Sequence, residues 1–213
     1  MSPRTLLLTT AALLLSTAAH AQLVEGRDYR TLDPPQRTLS PGKIEVIEFF
    51  SYGCPHCNQL QTLLASWVAK LPHDVAFRRV ATGFGRTAWT NLAKAYYALD
   101  ATGDLPKLDG ELFHAIHQEH LPLFDQNSIT QWVGQHGGDA AKFATAFASF
   151  GVNTRLNQSE QMVQAYKIEQ IPTLAVDGRY VVIGESLQET LAHANELIVK
   201  VRAQRPPSTA SNR

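Results

Sequence analysis

The two cysteines of this chain stand three residues apart, as Cys54-Pro55-His56-Cys57, directly behind Ile44-Glu45-Val46-Ile47-Glu48-Phe49-Phe50-Ser51-Tyr52-Gly53. An apolar β-type run ends at a Ser/Gly turn, so the C-x-x-C falls where a helix should begin. Pro55 suits the first helical turn, where its missing N–H is an unsatisfied donor in any case. Residues three apart share a helix face, so the two sulfurs can meet. A thiol at a helix N-terminus sits beside free N–H groups and the positive end of the dipole, which stabilise its thiolate. Strand, turn, C-x-x-C and helix is the order of a thiol–disulfide redox centre. A loop this short restrains little of an unfolded chain, so a bond between the pair would serve chemistry rather than stability.

The start of the chain points to export. Arg4 supplies a basic region, Leu6 to Leu15 an apolar one, and Ala19-His20-Ala21 an A-x-A cleavage site, so residues 1–21 read as a signal peptide with Gln22 first in the mature chain. The other reading is an uncleaved anchor. The stretch is short for a membrane span. Nineteen basic residues balance nineteen acidic ones, and the leader holds only one of them, so nothing suggests nucleic acid as a partner.

Along the chain, a short edge strand is expected at Tyr29 to Leu32 and a central strand at Lys43 to Phe50, apolar on both faces. A helix runs from Cys54 to about Leu71, and Val75 to Ala81 forms a second strand, parallel to the first in a right-handed βαβ unit. Helices are predicted at Ala88–Leu99 and Leu108–Glu119, after a capping box at Ser128-Ile129-Thr130-Gln131, at Asp139–Phe150 ended by Gly151, and at Asn153–Tyr166. Five helices are too many for one crossover, so residues 86–151 read as an inserted helical subdomain between 22–85 and 152–204. Strand character returns at Ile171–Val176, Asp177-Gly178 signals a hairpin, and Ser186-Leu187-Gln188-Glu189 opens a last helix to about Val201. Residues 205–213 read as a disordered tail. The plan is α/β: a thioredoxin fold with an inserted all-α subdomain.

The segment Glu48-Phe49-Phe50-Ser51-Tyr52-Gly53-Cys54-Pro55-His56-Cys57 resembles the active site of the DsbA family of periplasmic thiol:disulfide oxidases, whose usual dipeptide between the cysteines is Pro-His. The inserted helical domain fits the same family over essentially the whole mature chain. The resemblance implies an exposed nucleophile at Cys54 with a depressed pKa, an oxidising disulfide, and a cis-proline facing the C-x-x-C at Ile171-Pro172-Thr173. Sequence alone would leave Pro172 trans. The family usually has Thr or Val where this chain has Ile171.

Each candidate residue has a blander reading beside it. Cys54 and Cys57 could form a structural disulfide or a pair of metal ligands. His56 either favours the Cys54 thiolate through its dipole or charge or is solvated and idle. Glu48 lies deep in a strand, where a carboxylate is expensive to bury and its pKa rises; the family has an acid there, proposed to relay protons with Cys57. Its alternative is a wet acid at a sheet edge. Ile171, before Pro172, would offer its backbone to a substrate strand, giving affinity without sequence specificity. His114, His117 and His120 follow Glu111, but three-residue steps drift by about 60° each, so they read as a solvated helix face, not a metal site.

The expected protein is thus an oxidoreductase handing its Cys54–Cys57 disulfide to reduced, unfolded exported proteins through a mixed disulfide. It needs no cofactor beyond that disulfide. The resemblance adds a DsbB-like, quinone-coupled membrane oxidase as re-oxidising partner; the signal peptide implies a periplasmic location, and a monomer is expected. A disulfide isomerase or reductase, or an exported metal-binding protein using the cysteine pair, are the alternatives.

Overall fold

The computed structural model describes residues 22–205; the signal-peptide reading of 1–21 and the tail after Arg205 fall outside the described residues. A short strand, β1 (Tyr29–Thr31), precedes β2 (Ile44–Phe50), α1 (Pro55–Val68) and β3 (Val75–Ala81). Five helices follow: α2 (Thr87–Thr102), α3 (Leu105–His117), α4 (Gln126–Gln135), α5 (Ala140–Ala148) and α6 (Phe150–Ala165). A hairpin of β4 (Thr173–Val176) and β5 (Tyr180–Val182) then leads into α7 (Leu187–Gln204).

The strands form one sheet in the order β1-β5-β4-β2-β3. β2 pairs in parallel with β3, Ile44 opposite Val75 through Phe50 opposite Ala81, and antiparallel with β4 on its other side. Every residue of β2 is buried, as its two-faced apolar sequence requires. On one face Val46 and Leu174 pack with Leu60 and Leu64 of α1 and Leu197 of α7. On the other, Ile47 and Phe49 meet Val163 and Tyr166. The hairpin turns at Asp177 and Gly178 with φ of 56° and 65°, the left-handed pair that a two-residue turn demands. Gly178 is the residue type this turn needs on a second count: a Cβ there would fall 2.0 Å from the Gln36 carbonyl oxygen.

Phe50 and Tyr52, with both cysteines, belong to a third cluster, whose other members come mainly from α2 to α5. The redox motif is therefore seated in the core of the helices that intervene between β3 and β4, not in the core beneath the sheet.

Several helix ends differ from the sequence reading. Asp125, not Ser128, caps α4: its carboxylate accepts from the N–H groups of Asn127 and Ser128, and Ser128 is the third helical residue of the box. Ser149 closes α5 and caps α6 through its hydroxyl, which places Gly151 inside α6 rather than after α5. A serine hydroxyl satisfying a first-turn N–H is a stronger boundary signal than a glycine. Arg205, read as the start of the tail, is held by the Asp177 carboxylate at 2.6 Å and the Lys43 carbonyl at 2.7 Å.

Candidate active site

The end of β2 delivers Ser51, Tyr52 and Gly53 to a tight turn in which the Cys54 N–H donates to the Ser51 carbonyl at 3.1 Å. Cys54 is the extended N-cap of α1 and Pro55 occupies its first turn. Both cysteines are free thiols. Cys57 is fully buried, as its place one turn into the helix requires. Cys54 is only 4% exposed, which corrects the expectation of an exposed sulfur. It lies within the aromatic core of the helical region and under Ile171, to whose carbonyl oxygen its Sγ donates at 3.5 Å when it carries its proton. The Ile171–Pro172 bond is cis.

The two thiols are driven apart in acidity. The Cys57 thiol donates to Cys54 and, with the backbone N–H groups of Cys57 and His56 and the charge of His56, outweighs the cost of burial to bring Cys54 down to about 6. Cys57 moves the other way: burial raises it far above an ordinary thiol, and its bond to Cys54 raises it further. The pair thus holds one proton, and Cys57 holds it. His56 is exposed, with Nδ1 3.4 Å from Oε1 of Gln59. A groove of about 740 Å³ runs past His56, Gln59, Gln118, Ile171, Pro172 and Leu187.

Glu48 is fully buried on an interior strand of the sheet, between β4 and β3, not at an edge. Burial raises its pKa against the opposing pull of the Arg79 guanidinium. Nε of Arg79 donates to Oε2 of Glu48 at 2.5 Å, while its Nη1 donates to both oxygens of Asp109 at 3.0 and 2.8 Å. Asp109 also accepts from the Tyr52 hydroxyl at 2.6 Å and from Gln61 at 3.1 Å. The Arg79 guanidinium stacks 3.7 Å above the Phe50 ring. Among the described residues Oε1 of Glu48 has no hydrogen-bond partner. Glu48 makes no hydrogen bond to Cys57, although its charge contributes to the raised pKa there.

Sequence reading missed Arg79, Asp109 and Trp89. Arg79 carried a signal: sliding Val75–Ala81 along Ile44–Phe50 in parallel sets Arg79 opposite Glu48. Asp109 and Trp89 reach the site from separate helices and carried none. The indole of Trp89 in α2 lies so close that a Cβ on Gly53 would fall 2.3 Å from its Nε1. The three histidines also part company. His114 is exposed beside Glu119, and His120 lies beyond α3 in a left-handed conformation. His117 is not on a solvated face but half-buried, its Nε2 2.7 Å from the Tyr52 carbonyl oxygen. Among the described residues no three or more His, Cys, Asp or Glu side chains gather in a way that could hold a metal ion.

Comparison with known proteins identifies the family. Residues 45–196 match the model of the DSBA-like thioredoxin domain. The chain is 36% identical over 204 residues to the thiol:disulfide interchange protein DsbA of Bordetella parapertussis, covering 93% of this chain and 97% of that protein. It is 33% identical over 202 residues to DsbA of Pseudomonas aeruginosa, covering 93% and 95%. The crystal structure of Pseudomonas aeruginosa DsbA superposes with a TM-score of 0.80 at 33% identity, over 84% of this chain and 94% of that one. That of the oxidoreductase DsbA from Xylella fastidiosa gives 0.80 at 31%, over 85% and 98%. With its thioredoxin-like sheet, its helical region and its paired thiols accounted for together, the chain belongs to the DSBA-like thioredoxin domain family.

Proposed function

We propose that the protein is a thiol:disulfide oxidase that donates a Cys54–Cys57 disulfide to reduced, unfolded exported proteins. The observation that carries this reading is the opposed acidity of the pair: a thiolate is stabilised at Cys54 while Cys57 keeps its proton. Stabilising the reduced form makes the disulfide a stronger oxidant, about 1.4 kcal/mol for each ~30 mV.

A client thiolate attacks Sγ of Cys54, forming a mixed disulfide and expelling Cys57 as a thiolate. That thiolate is buried and takes up one of the two protons that the client thiols release, relayed through Oε1 of Glu48. A second client thiolate then attacks the client sulfur of the mixed disulfide. The client leaves with a disulfide, Cys54 leaves as the stabilised thiolate, and two electrons have passed to the enzyme. His56 supports the Cys54 thiolate through its backbone N–H and its charge. The client strand lies along Ile171 and Pro172, pairing by backbone. The disulfide is itself the redox group, so no further cofactor takes part. A DsbB-like, quinone-coupled membrane oxidase would then restore it, and the protein would work in the periplasm as a monomer after losing residues 1–21. Among the described residues no helix is long and apolar enough to cross a membrane.

The test is the equilibrium of the pair with glutathione, with the Cys54 titration followed by thiolate absorbance on the same sample. A potential well above the glutathione poise supports the oxidase. A reducing, thioredoxin-like potential would leave a reductase or isomerase in its place.

A further inference from the structure

One helix holds the residue two positions before the nucleophile at three points. Asp109 of α3 accepts from the Tyr52 hydroxyl at 2.6 Å, Phe113 meets the Tyr52 ring edge-on at 4.7 Å between centroids, and His117 lies 2.7 Å from the Tyr52 carbonyl oxygen. The first two fix the ring. Only the third fixes the backbone.

That difference matters because the Tyr52 carbonyl and the Gly53 N–H belong to one rigid peptide plane. The opposite edge of that plane is weakly held, since among the described residues the Gly53 N–H reaches only Ser51 Oγ, at 3.3 Å. Gly53 adds no side chain of its own to resist rotation. A carbonyl oxygen can only accept, so Nε2 of His117 must be the protonated ring nitrogen.

We propose that His117 is a positioning residue for Cys54: by donating from Nε2 to the Tyr52 carbonyl, it fixes the Tyr52–Gly53 peptide plane and with it the N-terminus of α1 beneath the Cys54 sulfur. The inserted helices thereby set the geometry of a reactive centre carried by the sheet and α1. The inference rests on Cys54 being the nucleophile, and His117 itself touches neither sulfur nor client.

The test replaces His117 with Leu, with Met as a second donor-free variant whose unbranched side chain adapts to the gap, and with Gln to restore a donor. Each reduced protein is titrated by thiolate absorbance and equilibrated with glutathione. The Leu and Met variants are expected to raise the Cys54 pKa by about half a unit to one unit, the worth of one hydrogen bond. Their glutathione equilibrium should move about threefold to tenfold toward the oxidised form, and Gln should recover most of both. Variants that lose stability but keep pKa and equilibrium within twofold of the parent would reduce His117 to a packing role and overturn the proposal. A second readout needs no variant: nitrogen NMR of the parent protein must show His117 protonated at Nε2, and a neutral ring protonated only at Nδ1 would overturn it equally. A reducing potential in the parent would instead defeat the oxidase reading while leaving this comparison of variants intact.

Discussion

Glu48 and Arg79 stand opposite each other in the parallel register of β2 and β3, with Nε of Arg79 2.5 Å from Oε2 of Glu48 and the carboxylate wholly buried. The arginine also holds Asp109, so one guanidinium answers two acids. Removing it by Arg79→Met would leave both without their cation, Glu48 wholly shut off from water and Asp109 largely so. Deleting one partner of a buried pair costs about 3–5 kcal/mol, and we expect a loss at least that large in urea denaturation. Adding Glu48→Gln to Arg79→Met should recover part of it, because one uncompensated acid then disappears. A double variant no more stable than the single would show that the cost lies in lost packing over Phe50.

The relay role given to Glu48 calls for a separate measurement. Glu48→Gln keeps the shape of the side chain and a hydrogen-bonding oxygen for Arg79, but ends proton exchange at the carboxyl. We expect the oxidation of a dithiol peptide at neutral pH to slow by roughly a hundredfold, the low end of what a positioned acid–base group supplies. The potential of the pair should move far less. Equal rates for Glu48→Gln and the parent, measured by stopped-flow mixing, would remove Glu48 from the mechanism and leave it as the partner of Arg79.

The opposed acidities of Cys54 and Cys57 fix how the reduced protein responds to pH. Cys54 titrates at about 6 when folded and near its ordinary value of 9.0 when unfolded. Between these values the unfolded state binds more protons, so stability rises with pH, by at most about 1.4 kcal/mol per unit. That contribution is complete above the unfolded value and is lost as pH falls through about 6. Cys57 has its pKa raised by folding, so above pH 9 the folded state binds more protons and stability declines. Denaturation of the reduced protein should therefore be hardest near pH 9. The oxidised protein has neither thiol and should lack both limbs. A difference between the two forms that does not change from pH 5 to 9 would contradict the assignment of the low pKa to Cys54.

The legible parts of this molecule were those carried by neighbours in sequence. The apolar run into Cys54, the proline at the start of α1 and the Asp177-Gly178 turn each state their geometry within a few residues. Glu48 could be read as a buried acid, because its apolar flanks are adjacent. Its partner could not be read without fixing a register 31 residues away. Asp109 and His117 look like ordinary polar positions of an amphipathic helix, and only the packing of α3 against the turn after β2 turns them inward. Cys54 was expected to be exposed, yet its cover comes from Ile171, 117 residues later. Local chemistry was legible, and long-range contacts decided what each group does with it.

Gly53 joins these two kinds of information at one atom. Nothing in the run Tyr52-Gly53-Cys54 says that its glycine must remain one, yet a Cβ there would fall 2.3 Å from Nε1 and 2.5 Å from Cδ1 of Trp89. Real contacts of that kind do not occur, so in Gly53→Ala either the indole or the active-site turn must give way. The indole is itself held, because Arg86 stacks 4.2 Å over its ring and Trp89 packs against the core of the helical region. We therefore expect the turn to move. Overpacking typically costs about 1–3 kcal/mol, and the loss should be accompanied by a rise in the Cys54 pKa, because the N–H groups of His56 and Cys57 would no longer be aimed at the sulfur. Pairing Gly53→Ala with Trp89→Ala opens the space the new methyl needs. If the clash is the cause, the double variant regains the parental titration even where stability stays low. If Gly53→Ala alone leaves the Cys54 titration unchanged, Trp89 has yielded instead, and the grip of α2 on the active-site turn is looser than its contacts indicate.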